Sequence, residues 1–378
     1  MRDALGPGTV LGYCTNVHAG ATLAGVLDAL ARVAPRLRTA GDAPVGVGLW
    51  LSARAAAELE HAPDGPARLR DRLAQLGLFT FTFNGFPYSD FHTPVVKHAV
   101  YEPTWADPRR ADYTLALARL AAQLAEPGAA FSISTLPLGW RAAMSPDQRR
   151  AAAQRLARTA DALARIEGDT GSRVTVDLEP EPGCVLDTAA GVAEFFAGDL
   201  AAAASAAGVP EPALRRHIGV CHDVCHSAVM HEDQAGAMAA YAAAGVRVGK
   251  LQVSAAIEGT LEQLGRFAEP RYLHQTVVRR PGGPPAFHED LPAARAAHPP
   301  DAVARAHFHV PIFLSHFGAV RSTADQIAPA IAAARGLHGV RAFEVETYAW
   351  GVLPDGLRPD DPAEGIAAEL RWARGQAP

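Results

Sequence analysis

The sequence predicts an α/β protein folded as an eight-stranded (β/α)₈ barrel, and three observations lead to that prediction. Short apolar or alternating runs recur eight times along the 378 residues, and stretches rich in Ala, Leu and Arg with a helical pattern separate them. Hydrophobic residues make up 49% of the chain, which is enough for a large core. No Gly-rich phosphate-binding fingerprint and no helix-only repeat competes with this alternation, which is typical of parallel barrels.

The strands are predicted in the order in which these runs occur. The runs are TVLGYCTNVH from Thr9, PVGVGLWLS from Pro44, LFTFTFNGF from Leu78, AAFSISTLP from Ala129, RVTVDLEPEP from Arg173, HIGVCHDVCH from His217, VRVGKLQVS from Val246 and VRAFEVETYAW from Val340. Residues 1–378 are expected to form a single domain. Two interruptions are expected within it: a lid-like loop after the third strand (residues 84–107) and an insertion between the seventh and eighth strands (residues 255–320).

Apolar and polar side chains alternate along these strands, so each strand should have one apolar and one polar face. RVTVDLEPEP has aliphatic side chains on one face and Thr175, Asp177 and Glu179 on the other. The apolar faces should pack under the helices, and the polar faces should line the barrel interior. In the third strand the residues expected to point outward are Phe79, Phe81 and Phe83.

The predicted interior carries many charges. An ordinary barrel fills its interior with branched apolar side chains. Burial of an ionisable side chain there without a partner would lower the stability of the fold by an amount on the order of several kcal/mol. A divalent cation with a hydroxylated substrate would compensate these charges best, so the interior is predicted to be a site. The charged residues concerned are Asp177, Glu179, Asp223, Lys250, Glu344 and Glu346.

Two neighbouring strand ends carry candidate ligands. Glu179 stands near the C-terminal end of the fifth strand, where barrel enzymes keep their chemistry, and Pro180 stops that strand. Asp223 and His226 form D-x-x-H at the end of the sixth strand. A carboxylate oxygen with an imidazole nitrogen suits Mn, Co, Zn or Fe. The alternatives are a carboxylate paired with an interior Arg or Lys, and a structural Asp–His pair.

The last two strands should complete the ligand set. Glu346 lies nearer the rim than Glu344, which is expected one layer deeper as the partner of Lys250. Gln252 is the inward residue at ligand depth on the seventh strand, although an amide oxygen is a poorer metal donor than imidazole. Histidines of the insertion are alternative sources of nitrogen, namely His274 in RYLHQTVV and His307 and His309 in HFHVPIF.

A zinc clip of thiols is the weaker interpretation of HIGVCHDVCH. Cys221 and Cys225 are four residues apart, not three as in C-x₂-C, and no second cysteine pair follows them. Four cysteines in a chain of 378 residues also do not suggest a disulfide framework.

The loop NGFPYSDFHTPVVKHAVYEPTW places aromatic residues beside His92 and Lys97. Aromatic faces suit sugar or cyclitol rings, and Lys97 could bind an anion. A lid packed on itself is the alternative, and a lid over the barrel mouth would still be functional. Other residues expected to bind substrate are Asn84, Glu181, Lys250 and Trp350.

Composition excludes several classes of partner. The net charge of −5 and the lack of a basic run argue against nucleic acid. No apolar run reaches the ~20 residues that span a bilayer, and no signal-peptide pattern opens the chain. We therefore expect a cytoplasmic protein with a small polyhydroxylated substrate and no membrane insertion.

The strand-end residues resemble those of the xylose isomerase-like (sugar phosphate isomerase/epimerase) TIM barrels. Members of that superfamily bind a divalent metal through a Glu from the fifth strand, the Asp of a D-x-x-H after the sixth, a His from the seventh and a Glu from the eighth. Glu179, Asp223 with His226, and Glu346 match three of these positions, and Gln252 stands where the histidine would be.

A more specific resemblance, to the EboE family of metabolite traffic proteins, covers nearly the whole chain. It rests on GYCTNVH, FTFNGFPYSDFH, VKHAVYEPTW, SISTLPLGW, DLEPEPGC, IGVCHDVCHSAV, KLQVSAAI, YLHQTVV, HFHVPIF and ETYAWGVLP. Together the two resemblances imply a metal-dependent isomerase or epimerase of a keto-sugar or cyclitol in secondary metabolism. Glu179 and Glu346 would exchange the proton and His226 would hydrogen-bond a substrate oxygen. A dehydratase and a non-catalytic carrier remain alternatives.

Overall fold

The computed structural model, which describes residues 1–37, 43–280, 282–353, 356, 358 and 360–376, contains a closed barrel of eight parallel strands. The first seven are β1 (Val10–Cys14), β2 (Val45–Trp50), β3 (Leu78–Asn84), β4 (Ala130–Thr135), β5 (Arg173–Leu178), β6 (Ile218–Asp223) and β7 (Val248–Val253). An insertion follows with β8 (Ile257–Thr260), β9 (Thr276–Val278), β10 (Ala286–His288), β11 (Val303–Ala306), β12 (His316–Phe317) and β13 (Val320–Ser322). The last barrel strand, β14 (Ala342–Val345), pairs with both β1 and β7 and closes the ring. The predicted (β/α)₈ fold is confirmed.

Most helices lie between the barrel strands and cover their outer faces, and two short ones pack on the sheet of the insertion. The helices are α1 (Leu23–Leu37), α2 (Ala53–His61), α3 (Gly65–Gln75), α4 (Pro108–Leu124), α5 (Pro146–Thr170), α6 (Ala189–Phe195), α7 (Ala201–Ala206), α8 (Glu211–His217), α9 (Val224–Val229), α10 (Gln234–Ala243), α11 (Leu261–Leu264), α12 (Leu291–Ala297), α13 (Ile327–His338) and α14 (Pro362–Arg374). Among the helices described, none is long and apolar enough to cross a bilayer.

The outer faces of the strands form the core between barrel and helices. On β5 the side chains of Val174, Val176 and Leu178 are fully buried, as the alternation predicts. Local sequence signals set the helix ends around them. At the start of α5, for example, the Ser145 side chain accepts from the backbone of Gln148 while the Gln148 side chain accepts from the backbone of Ser145.

Strand β3 departs from the predicted alternation. Its register against β2 shifts so that Val47 pairs with Thr80 but Gly48 pairs with Thr82, which leaves Phe81 in a bulge. The Phe81 ring lies over Gly12 and Gly46, and a β-carbon on Gly12 would come within 2.5 Å of its Cε1 atom. The prediction that Phe81 points outward is therefore wrong, because the bulge turns its ring to the barrel interior.

The insertion forms a six-stranded sheet beside the barrel mouth, in the order β10-β9-β11-β8-β13-β12 with antiparallel pairs. The loop after β3 is attached to it at two points. The backbone N–H groups of Val96 and Lys97 both donate to the carbonyl oxygen of Arg271. The Lys97 ammonium also lies 2.5 Å from the Asp290 carboxylate. Loop and insertion together therefore cover one side of the mouth.

Candidate metal centre

The deeper layer of the barrel interior holds a buried ion pair. The Nζ atom of Lys250 lies 2.7 Å from Oε2 of Glu344, and neither side chain is exposed. Lys250 also donates to Asn84 and Ser134, at 2.8 Å and 3.2 Å. Gly48 leaves room for this pair, since a β-carbon there would collide with the Glu344 carboxylate. The predicted pairing of Lys250 with Glu344 is confirmed.

A second interior carboxylate is neutralised near the N-terminal end of the barrel. Asp177 lies 2.5 Å from the guanidinium of Arg247 and accepts hydrogen bonds from Ser132 and Thr175. Two of the six charged residues predicted for the interior therefore pair with each other, and a third pairs with an arginine. The remaining charges stand at the other end of the barrel.

Three carboxylates converge at the C-terminal mouth. Glu179 follows β5, Asp223 ends β6 and Glu346 follows β14. Each offers an oxygen within 4.8 Å of the other two, and all three are buried. Across the described ranges, no lysine or arginine forms an ion pair with any of them. The acidic cluster predicted from the strand ends is thus assembled without a lysine or arginine to balance it in the described ranges.

Neutral donors orient two of these carboxylates. Glu346 accepts from the side-chain amides of Asn16 at 2.8 Å and Gln252 at 2.9 Å. Asp223 accepts from the Ser254 hydroxyl at 2.9 Å. Asp223 also caps α9, because its Oδ1 accepts the backbone N–H at the third position of that helix. These contacts fix the carboxylates but do not neutralise their charge.

The electrostatics of the cluster reflect that shortage of positive charge. Burial raises the pKa of Glu179 well above its usual range, and the neighbouring charges of Glu346 and Asp223 raise it further. Burial also raises the pKa of Glu346. For Asp223, burial is outweighed by the positive charge that His226 and His309 carry when protonated and by hydrogen bonds, so its pKa falls below the usual value. Protons or a cation must therefore balance the cluster.

Several buried polar atoms around the three carboxylates have no hydrogen-bond partner in the described part of the chain. They include Oδ2 of Asp223 and Nε2 of His309, together with Oε1 of Gln252 and Oδ1 of Asn16. Three of them are oxygen acceptors, and such atoms are seldom buried without a donor or a cation. These atoms and the three carboxylates form a set of oxygen and nitrogen donors that fits a divalent cation.

Three imidazoles stand beside the carboxylates. The ring centres of His226, His307 and His309 are 4.6–5.5 Å apart. The Nδ1 atom of His226 lies 3.0 Å from the backbone oxygen of Pro180, and that of His307 lies 2.8 Å from the side-chain oxygen of Gln275. Because these Nδ1 atoms face oxygen acceptors, they carry the hydrogen, and Nε2 is left as the acceptor of each neutral ring.

A cavity opens over the cluster. Its floor is formed by Glu179, Glu181, Glu346 and the three imidazoles. Its upper wall is mainly aromatic and aliphatic, and comes from the loop after β3, the insertion and the segment after β14. The upper wall includes Phe86, Phe91, Val96, Val100, Tyr272 and Tyr348.

Some of the residues predicted to bind substrate line this cavity. Asn84 and Glu181 reach its floor, and His226 borders it. Glu181 accepts hydrogen bonds from Tyr101 and Gln275, each at 2.8 Å, and burial raises its pKa.

Lys97 also lines the cavity. Its ammonium is held by Asp290, so it joins the loop after β3 to the insertion. Anion binding by Lys97 stays a prediction.

Four other candidates are placed elsewhere. The three N–H groups of Lys250 are used by Glu344, Asn84 and Ser134, so it has none left for a substrate. The ring nitrogens of His274 face the His307 backbone oxygen and the Glu269 carboxylate, so neither is free for a metal. The two remaining candidates lie behind the cavity wall: His92 beside Trp50 and the backbone oxygen of Asn16, and Trp350 against Gly365 of α14.

Sequence reasoning missed Asn16, Tyr101 and Gln275. Asn16 lies two residues beyond β1, at the C-terminal face of the barrel, and that position is a signal that sequence alone offers. Tyr101 and Gln275 carry no comparable signal, because they reach Glu181 from a loop and from the insertion.

The cysteines do not form a zinc site of their own in the described part of the chain. All four cysteines are free and buried. The sulfur of Cys225 and ring nitrogens of His307 and His309 lie within 4.8 Å of one another, whereas no such group in the described ranges joins Cys221 and Cys225.

Comparison with solved structures finds the same fold in other proteins. A xylose isomerase-like TIM barrel protein from Mycobacterium smegmatis, in complex with magnesium, matches with a TM-score of 0.51 and 12% identity over 98% of this chain and 96% of that one. An L-ribulose 3-epimerase matches with a TM-score of 0.49 and 14% identity over 97% of this chain and 92% of that chain. At 12% identity the first match establishes a shared fold only. No protein-family model and no curated protein matches the sequence.

Proposed function

We propose that this protein is a divalent-metal-dependent isomerase or epimerase that acts beside the carbonyl group of a keto-sugar or cyclitol. One observation carries the proposal: three buried carboxylates, Glu179, Asp223 and Glu346, converge under a cavity without a lysine or arginine partner in the described part of the chain. One oxygen of this set, Oδ2 of Asp223, has no hydrogen-bond partner in the described ranges, which supports a cation as the missing positive charge. Magnesium in the Mycobacterium smegmatis protein of the same fold is consistent with such an ion.

The residues would divide the work as follows. Asp223 would hold the cation together with Glu179 and Glu346. A bound divalent cation supplies Lewis acidity, which polarises a carbonyl and favours negative charge on its oxygen. Glu179 and Glu346 come from strands that β6 and β7 separate, so they can approach a substrate from different sides and move a proton at the carbon beside the carbonyl.

The cavity supports a ring-shaped polyhydroxylated substrate. Glu181, with its hydrogen bonds to Tyr101 and Gln275, would accept from a hydroxyl group at the floor. His226 has Nδ1 occupied by a backbone oxygen, so its Nε2 would accept from a second hydroxyl. The aromatic upper wall would pack on the apolar face of the ring and exclude water.

Two alternatives act on the same substrate class. A dehydratase would use the same base to remove the proton beside the carbonyl, and the hydroxyl group on the next carbon would take up a proton and leave as water. A non-catalytic binding or traffic protein, the role suggested by the resemblance to EboE proteins of secondary metabolism, would keep the pocket without turnover. The observation that favours the second alternative is Gln252, which occupies the ligand position of β7 with an amide.

The test is solvent exchange at carbon. Purified protein with Mn²⁺ would be incubated in D₂O with a panel of ketohexoses, ketopentoses and inososes, and the substrates followed by NMR. The proposal predicts deuterium beside the carbonyl and formation of an isomer or epimer. Loss of water from the substrate would point to the dehydratase. Binding of a substrate without exchange would point to the carrier.

A further inference from the structure

His309 brings an imidazole from the insertion to the carboxylates at the barrel mouth. It lies in the loop between β11 and β12, and only 1% of it is exposed. It can share a ligand sphere with Asp223 and His226, since atoms of the three lie within 4.8 Å of one another. The insertion therefore contributes to the floor of the cavity and not only to its wall.

The protonation of the His309 ring follows from its contacts. Nδ1 lies 3.0 Å from the backbone oxygen of Glu346 and must donate to it, so Nε2 carries the lone pair of a neutral ring. That Nε2 is buried and has no hydrogen-bond partner in the described ranges. The same holds for Oδ2 of Asp223. Two lone pairs buried in one cluster without donors are unfavourable, and one cation between them would satisfy both. A histidine that binds metal commonly donates its other ring N–H to a backbone carbonyl.

Strand β7 offers no imidazole at the corresponding depth. Gln252 directs its amide nitrogen to Glu346 at 2.9 Å and leaves only an unpartnered amide oxygen. We infer that His309 is the nitrogen ligand of the cation, so that the ion joins the insertion to the barrel. This inference rests on the proposed metal centre and adds to it a ligand from outside the barrel strands.

The backbone around His309 is already positioned for this role. Val310 donates its N–H to the backbone oxygen of Ala255, directly after β7, and His307 donates its N–H to the backbone oxygen of Gln275. The imidazole is therefore held between two anchored residues. A cation on Nε2 would add a third attachment, so metal binding should slow hydrogen exchange in residues 303–312.

The experiment compares metal-depleted wild type with His309→Ala, His226→Ala and the control His316→Ala, an exposed histidine of the same insertion. Mn²⁺ affinity is measured by titration calorimetry. Imidazole ligation is read from ¹⁴N couplings of bound Mn²⁺ in pulsed electron paramagnetic resonance, and hydrogen exchange of residues 303–312 is followed with and without Mn²⁺. A double variant, His309→Ala with Gln252→His, returns an imidazole from β7.

We expect His309→Ala to weaken Mn²⁺ binding at least tenfold and to abolish the ¹⁴N coupling and the metal-dependent protection. His226→Ala and His316→Ala should keep the coupling, and the double variant should regain it. If His309→Ala binds Mn²⁺ with wild-type affinity and coupling, or if His226→Ala removes the coupling instead, the inference is overturned while the metal centre stands. If wild type binds no Mn²⁺, the proposed metal centre itself fails.

Discussion

Lys250 and Glu344 form an ion pair at the centre of the barrel, with Nζ 2.7 Å from Oε2 and both side chains fully buried. Burial alone would lower the pKa of Lys250, but the charge of Glu344 outweighs it and the pKa is raised. Asn84 joins the pair from above, because its Nδ2 donates to Glu344 and its Oδ1 accepts from Lys250. The pair therefore supports the floor of the cavity while its own charges cancel.

Replacement of one member should leave the other charge buried and unpaired. We expect Lys250→Met to lower the free energy of unfolding by about 3–5 kcal/mol, measured by urea denaturation. The double variant Lys250→Met with Glu344→Met should be more stable than the single variant, because no isolated carboxylate remains. A Lys250→Met variant as stable as wild type would show that the ion pair with Glu344 does not stabilise the fold.

Glu369 on α14 predicts a pH dependence of stability. Burial raises its pKa from 4.5 to about 8, although it accepts hydrogen bonds from the Thr347 hydroxyl and the Ile312 backbone. Because the folded state binds this proton more tightly than the unfolded state, the stability it contributes is fully present below pH 4.5 and is lost as the pH rises through 8.

Glu369→Gln keeps the shape of the side chain and an acceptor oxygen but removes this titration. Relative to wild type, the variant should gain about 2–4 kcal/mol in the free energy of unfolding between pH 5 and pH 8.5. Urea denaturation at several pH values measures the difference in the free energy of unfolding between the variant and wild type. The contributions of other titrating groups are the same in both proteins and cancel in this difference. A constant difference across this range would contradict the assignment.

The two cysteines of β6 and α9 should be dispensable for metal binding. In the described ranges no candidate ligand group includes Cys221, and Cys225 is grouped with His307 and His309 but not with the three carboxylates. We expect Cys221→Ala with Cys225→Ala to keep wild-type metal content in elemental analysis. Stability should fall by about 1–2 kcal/mol, since both side chains are buried and leave small cavities. Loss of zinc or collapse of the fold would instead support a zinc site formed by the thiols.

Glutamine at the two glutamates of the mouth should separate proton transfer from ligation. Glu179→Gln and Glu346→Gln keep an oxygen donor but cannot accept the substrate proton. We expect each to retain the fold, to bind metal moderately more weakly and to lose about 10²–10⁴-fold in turnover. Asp223→Asn, the matched ligand variant, should instead lose metal and recover part of its activity at high metal concentration. Wild-type solvent exchange in both glutamine variants would refute the proton-transfer roles.

Sequence periodicity was sufficient for the barrel and for its strand-end acids, because both follow from local rules. Alternation on β5 fixes which residues face inward, and parallel strands bring their C-terminal ends together. The bulge at Phe81 could not be predicted in this way. It depends on Gly12 and Gly46, which lie on other strands and leave space for the ring.

The histidines of the insertion illustrate the same limit. His274, His307 and His309 are equivalent in sequence, and only tertiary contacts distinguish them. His274 is paired with Glu269, whereas the backbone bond from Val310 to Ala255 holds His309 at the mouth. Trp350 was predicted to bind substrate, but it packs against α14, a contact that no local pattern encodes.

The central claim, a divalent cation at the barrel mouth, is tested most directly by anomalous diffraction from crystals grown with Mn²⁺. Data collected on both sides of the metal absorption edge would identify and locate the ion. The account predicts one anomalous peak with carboxylate oxygens of Glu179, Asp223 and Glu346 at bonding distance, about 2.0–2.3 Å. Carboxylates that turn away from one another with no anomalous peak between them would contradict it.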